Sequence, residues 1–134
     1  MMKPLLALLL LLLHLPSRNA PQVEIVDDLA TYFRIGNAKE IAKHFAPSVE
    51  LIIIDQEDVY NKAQSEQIIK DFFLKYPPSK SAIIHKLSNN PNYRLGILSL
   101  TTKNGKFRVT ITMNVKKPAN NFLITELRIE PDKE

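Results

Sequence analysis

The chain contains no cysteine. Disulfide staples are therefore excluded, as is lipid attachment at an N-terminal cysteine. No G-x-S-x-G elbow, phosphate loop or dinucleotide fingerprint occurs among its 134 residues. The three histidines, His14, His44 and His85, are too scattered for a metal site by local spacing. No internal repeat is visible. The apolar run from Leu5 to Leu13 is also short, since crossing a bilayer takes about 20 apolar residues.

That run nevertheless has a clear meaning. Lys3 precedes it, and His14, Pro16, Ser17 and Arg18 end it. A positive start, a short apolar middle and a polar end form the pattern of a cleaved secretory signal peptide. Residues 1–20 are read as that leader and residues 21–134 as one domain, secreted or periplasmic, with no stable membrane anchor after cleavage. Ala20 is a small residue suited to the cleavage point, although Arg18 is not small and Pro21 follows. Removing Lys3 and Arg18 lowers the formal net charge from +4 to +2. A nucleic-acid binder needs a concentrated basic face, so no nucleic acid is expected as partner. A mature domain of this length buries roughly two-thirds of its unfolded surface, enough for one core.

The stretch Gly36–Ile54 organises the domain. Asn37 and Glu40 have the spacing of a helix capping box. Ala38, Ile41, Ala42 and Phe45 recur at helical period, and Pro47 stops the helix. Val49, Leu51 and Ile53 then alternate with Glu50, Ile52 and Ile54, a strand covered on both sides for most of its length. A first helix over Val23–Arg34 precedes this stretch, closed by Gly36. Asp55–Asp58 reads as a polar turn and Val59–Tyr60 as a short returning strand. Asn61 and Gln64 repeat the cap spacing, ahead of a third helix that runs to about Lys75 and is ended by Pro77–Pro78. From Ser81 onward the pattern predicts four strands. Gly96 marks a bulge or bend in the second of them. Asn104–Gly105 predicts a type I′ hairpin. In the last strand Leu123, Leu127 and Ile129 form one face. The expectation is an α+β, cone-shaped domain: three helices on a strongly curved antiparallel sheet, in the order α-α-β-β-α-β-β-β-β.

The segments GNAKEIAKHFAPSVELII, VYNKAQSEQIIKDFF, YPPSK, IIHK, TTKNGKFRVTITMN and LITELRIE cover nearly all of the mature chain. In them the sequence resembles the nuclear transport factor 2-like (cystatin-like α+β) superfamily. Within it, the chain is similar to a family of small exported Bacteroidota proteins of unassigned function. The segment KKPAN at Lys116–Asn120 departs from the family pattern by lengthening a turn. The resemblance implies a pocket at one end of the cone and a homodimer formed through the sheet.

Candidate chemistry is sparse. His85 shares strand parity with Ile83 and Leu87, which turns it toward the interior, where an imidazole can act as acid or base near neutral pH. With Tyr60 or Tyr93 it is the candidate catalytic pair of a small isomerase, dehydratase or hydrolase. The isomerase branch implied by the resemblance uses an Asp with a Tyr, which brings in Asp55 beside Tyr60 and Tyr93. Asp55, Glu57 and Asp58 lack the turn glycine of a calcium loop, so a solvated turn is favoured. Arg108, Glu126 and Arg128 could grip an anion, although cross-strand charge pairing is the simpler account. The candidate ligand-binding residues are Asp55, Tyr60, His85 and Arg108. No cofactor and no metal are implied. The leading reading is a non-catalytic module of the cell envelope that binds a small molecule or protein.

Expression of the whole gene product tests the leader. Intact-mass measurement of the exported chain should find a start near Pro21; a full-length chain held in the membrane would overturn the reading.

Overall fold

The computed structural model describes residues 24–117 and 121–133. Residues 1–23, 118–120 and 134 lie outside them, and with them the expected leader and most of the turn expected at residues 118–121. Among the described residues no helix is long and apolar enough to cross a membrane.

Helix α1 spans Ile25–Ile35 and buries Val26, Leu29 and Phe33, the positions its period presents to one side. Gly36 ends it in the left-handed conformation at φ 67°, where a side chain is disfavoured. The following N–H, on Asn37, donates to the Tyr32 carbonyl at 2.9 Å.

Helix α2 is only Ala38–Ala42. The Asn37 side chain accepts from the Glu40 N–H at 3.1 Å, as the spacing predicts. The reciprocal half of the capping box does not form. The Asn37 N–H is already taken by α1, and the Glu40 carboxylate lies 2.7 Å from Lys43 Nζ. Phe45, expected on the helix face, instead begins strand β1, Phe45–Ile53. Sheet pairing overrides a helix this short: Phe45 stands opposite Ile124, and the Ile124 N–H donates to the His44 carbonyl at 2.6 Å. Pro47 thus lies within a strand, at the irregularity between Phe45 and Glu50 where pairing to the neighbouring strand is interrupted. A residue without an N–H is tolerated there.

Strand β2, Gln56–Asn61, returns antiparallel to β1 after a two-residue turn at Ile54–Asp55. Helix α3, Lys62–Lys75, starts with a complete capping box, Asn61 and Gln64 each accepting the other's backbone N–H. Four strands follow: β3 Pro78–Asn90, β4 Tyr93–Thr102, β5 Gly105–Lys116 and β6 Asn121–Pro131. The sheet order is β2-β1-β6-β5-β4-β3. The sheet is mixed rather than wholly antiparallel, because β6 returns parallel to β1. The helices cover one face, and the cone is filled: Phe33, Phe45, Leu98, Leu100, Ile111, Met113 and Leu127 are all at most 1% exposed.

Two glycine expectations change. Gly96 lies in a regular stretch of β4, opposite Lys86 and Ile111. A Cβ there would stand 2.7 Å from Val26 Cγ1 of α1, so the position is small to admit the helix. The β4–β5 turn is Lys103–Asn104, with Thr102 paired to Gly105. Gly105 has φ 132°, and Asn104 is not left-handed. The Asn104 side chain donates instead to the Lys75 carbonyl at 2.9 Å, and the Lys103 N–H donates to the Pro77 carbonyl at 2.9 Å. Docking onto the end of α3 sets this turn's shape in place of type I′ geometry. In β6 a register shift opposite Thr112 and Met113 turns Ile124 inward with Leu127 and Ile129, and leaves Leu123 half-buried.

Gly96→Ala should lower unfolding free energy by about 1–3 kcal/mol in denaturant titration, since overpacking forces the backbone or Val26 to move. Asn61→Ala should lower it by about 1 kcal/mol through loss of the cap.

Candidate functional site

A cleft of about 280 Å³ lies where the β1–β2 hairpin faces the last two turns of α3; two other recesses, of about 440 and 360 Å³, lie around the start of β6. The floor of the cleft is apolar. Ile53 and Ile54 come from the hairpin, Ile68 and Phe72 from the helix. Ile68 and Phe72 are one turn apart on α3, and Tyr76 continues the row past the helix end. Tyr76 is fixed: its N–H donates to the Phe72 carbonyl at 2.8 Å. Its ring centre is 5.0 Å from that of Phe72 and 4.9 Å from that of Phe107. Phe72 and Phe107 close the triangle at 5.1 Å. Such edge and tilted contacts add about 0.5–1.5 kcal/mol per pair beyond burial, so this wall is rigid.

The rim is charged. Asp55 sits on the turn, and Asp71 and Lys75 on α3. Asp71 accepts from Gln67 Nε2 at 2.9 Å. Lys75 Nζ is 5.8 Å from the centre of the Tyr76 ring. The Asp55 carboxylate makes no hydrogen bond or ion pair with another described residue.

Ile54 is the anomaly of the site. It is the one non-glycine among the described residues with positive φ, at 61°. For a β-branched residue this is a genuine outlier, and such conformations cost on the order of 1–3 kcal/mol. Its N–H donates to the Ile129 carbonyl at 2.7 Å, which ties the turn to the end of β6.

The expected site residues are not brought together. His85 is exposed on edge strand β3 and lines neither this cleft nor the two recesses around the start of β6. The reason is a bulge. Ile83 stands opposite buried Leu98, but His85 stands opposite Ile97, so the extra residue turns His85 to the uncovered face. Tyr60 is on β2, at the other edge of the sheet. Five inter-strand steps of about 4.8 Å, roughly 24 Å along the sheet, separate the two strands. Tyr93 lies four residues from the partner of His85, about 13 Å along β4. No direct or single-water relay joins these groups. Of the candidate set, only Asp55 borders the cleft. The acidic trio splits: the Asp58 carboxylate accepts from the Val59 N–H at 2.8 Å, while Glu57 faces the other way, toward Glu50.

Arg108 is exposed on the uncovered sheet face, opposite Glu130 in register. Arg128 lies 3.5 Å from both Glu126 and Glu130, its neighbours two positions away on β6. The pairing therefore runs along the strand, not across strands as expected. Beside it Glu50 has its pKa raised above the ordinary carboxylate value, first by a hydrogen bond with Glu57, then by partial desolvation and the charge of Glu126. His44 stacks on Tyr32 with ring centres 6.3 Å apart, and burial lowers its pKa.

Sequence reasoning missed Ile54, Asp71, Lys75 and Tyr76. The spacing of Ile68, Phe72 and Tyr76, flanked by Asp71 and Lys75, was visible as a helix face with a charged margin. The backbone of Ile54 left no trace in the sequence.

The geometry is that of the nuclear transport factor 2-like, cystatin-like α+β class: three helices on one face of a curved, unclosed sheet. A family model described as a domain of unknown function, DUF4783, matches residues 26–130. The chain belongs to that family. A DUF4783 protein of Bacteroides uniformis is 24% identical with TM-score 0.77, over 83% of this chain and 100% of that one. One from Bacteroides ovatus is 26% identical with TM-score 0.72, over 79% and 94%. A cystatin-like-fold domain of unknown function from Nostoc punctiforme shares the fold at 8% identity, with TM-score 0.63 over 81% and 73%. No curated protein matches the sequence.

A raised carboxyl pKa means that the folded chain holds the Glu50 proton more tightly than the unfolded chain does. Ionising Glu50 as pH rises through the carboxylate range therefore disfavours folding, and acidification reverses this. Glu57→Gln should move the Glu50 titration midpoint down, read from its side-chain carboxyl carbon by NMR. An unchanged midpoint would refute the shared hydrogen bond.

Proposed function

We propose that this protein is an exported, non-catalytic binding module of the cell envelope that takes a small ligand in the cleft between the β1–β2 hairpin and α3. One observation carries the reading: a half-buried apolar floor with a rigid aromatic wall lies open beside charged groups, the usual make-up of a ligand site. The export assignment rests on the leader pattern alone. Its acid–base candidates stand apart, which favours binding over catalysis by the His85–tyrosine route.

A second reading concerns the uncovered face of the sheet. Its β1–β6 side carries Glu50, Glu126 and Glu130 around Arg128, whereas its β4–β3 side carries Leu95, Ile97, Leu87 and His85. A two-fold axis through the apolar side would lay Leu87, Leu95 and Ile97 against the same patch of a second copy and leave the charged side in water. We therefore propose a homodimer through this face.

Native mass spectrometry of the protein purified from its export compartment tests both readings. A retained small molecule supports the first, and a bare chain under gentle conditions argues against it. Light scattering at micromolar concentration should give the dimer mass; a clean monomer removes the second.

A further inference from the structure

We infer that the hairpin–helix cleft selects ligands bearing a protonated amine on a short branched apolar chain, and that Ile54 is held in its left-handed backbone to build the wall against which that chain packs. This rests on the binding-module reading above and adds to it the ligand's chemistry and a specificity residue.

The charge balance gives the sign. Two carboxylates, Asp55 and Asp71, and one ammonium, Lys75, border the cleft. Asp71 already accepts from Gln67, and Lys75 lies near the Tyr76 ring. Asp55 retains its full acceptor capacity among the described residues and stands next to the apolar floor. A carboxylate can accept from an ammonium in a charge-assisted bond. An anionic ligand would meet two like charges for each opposite one.

The volume gives the size. About 280 Å³ is at the small end for ligand sites. It suits a chain of a few carbons lying on Ile54, Ile68 and Phe72, not a large ring system.

Ile54 gives the selection. The two-residue turn places its first residue at positive φ, where glycine is the unstrained choice. Ile54 occupies it nonetheless, with its side chain half-buried against the core and lining the cleft. Glycine would relieve the backbone strain but would remove both the packing on the core and this wall of the cleft. The observed outlier therefore points to the side chain's use in the cleft.

The free amine could belong to an amino acid or to a peptide N-terminus. Isothermal titration of the mature chain with three probes separates these sources: L-leucine, L-leucinamide and 4-methylpentanoate. Leucinamide, the peptide-like cation, and leucine should bind, and 4-methylpentanoate should not. Leucinamide tighter than leucine assigns a peptide N-terminus; the reverse order assigns a free amino acid, with Lys75 meeting its carboxylate. Ile54→Gly should leave the domain folded, since the strain it relieves offsets the half-buried packing it loses, while weakening the bound amine at least about tenfold. Asp55→Asn, at an exposed turn, should weaken the amine with the fold intact. Equal or tighter binding of 4-methylpentanoate, or Ile54→Gly with unchanged affinity, overturns the inference. So does failure of every probe at millimolar concentration; the broader reading would then stand or fall on the native mass spectrum.

Discussion

The parallel seam between β1 and β6 is the constraint on which the rest of the domain depends. It joins the N-terminal half, with its helices and hairpin, to the C-terminal meander. Leu51 lies opposite Leu127 and Ile53 opposite Ile129, all four on the core side. The seam is held at both ends by backbone bonds, from Ile124 to His44 and from Ile54 to Ile129. Parallel pairing requires a long crossover, and here half of the chain, from the β1–β2 turn to the start of β6, is that crossover. Residues separated by some 75 positions must meet before either half has a complete core. The seam also sets the site, because the bond to Ile129 draws the hairpin turn to the place where α3 ends.

Much of this was legible. The stop of α1 at Gly36, the cap of α3 at Asn61 and Gln64, and the alternation Phe107, Val109, Ile111, Met113 each follow from local chemistry, and each is found. What local chemistry could not supply was the identity of the competing partner. Asn37 and Asn104 are both suited to the roles the sequence suggests. Their neighbours offered other bonds: the α1 carbonyl took the Asn37 N–H, and the Asn104 amide went to Lys75. Phe45 keeps helical period with Ile41, but a strand from the far end of the chain claims it. At Asn104 and Phe45 a partner from far along the chain displaced the local one, whereas at Asn37 the competing bond was the cap of α1 itself, five residues back.

Of the residues that line the candidate cleft, the sequence singled out only Asp55. Strand parity assumes an unbroken register, and one extra residue between Ile83 and His85 reverses it. That bulge is invisible in IIHK, where every residue is compatible with a strand. The cleft's other residues were legible as types and spacing on α3, but not as a site. Their meaning comes from the hairpin turn that folds over them, and its positive φ is imposed by tertiary contacts on a residue with no preference for it.

The anchorage of Arg94 has a practical consequence. Its guanidinium lies 4.1 Å from the centre of the Phe122 ring and 3.8 Å from Glu24, just ahead of α1. That fixes the start of the described chain beside the Met113 end of β5, since Arg94 and Met113 are paired. Phe107, which packs behind the Phe72 and Tyr76 rings of the cleft, stands six residues away and about 20 Å along the strand. Glu24 and the cleft thus stand at opposite ends of the sheet. A surface tether joined at Glu24 itself would leave the mouth of the cleft facing the bulk solution.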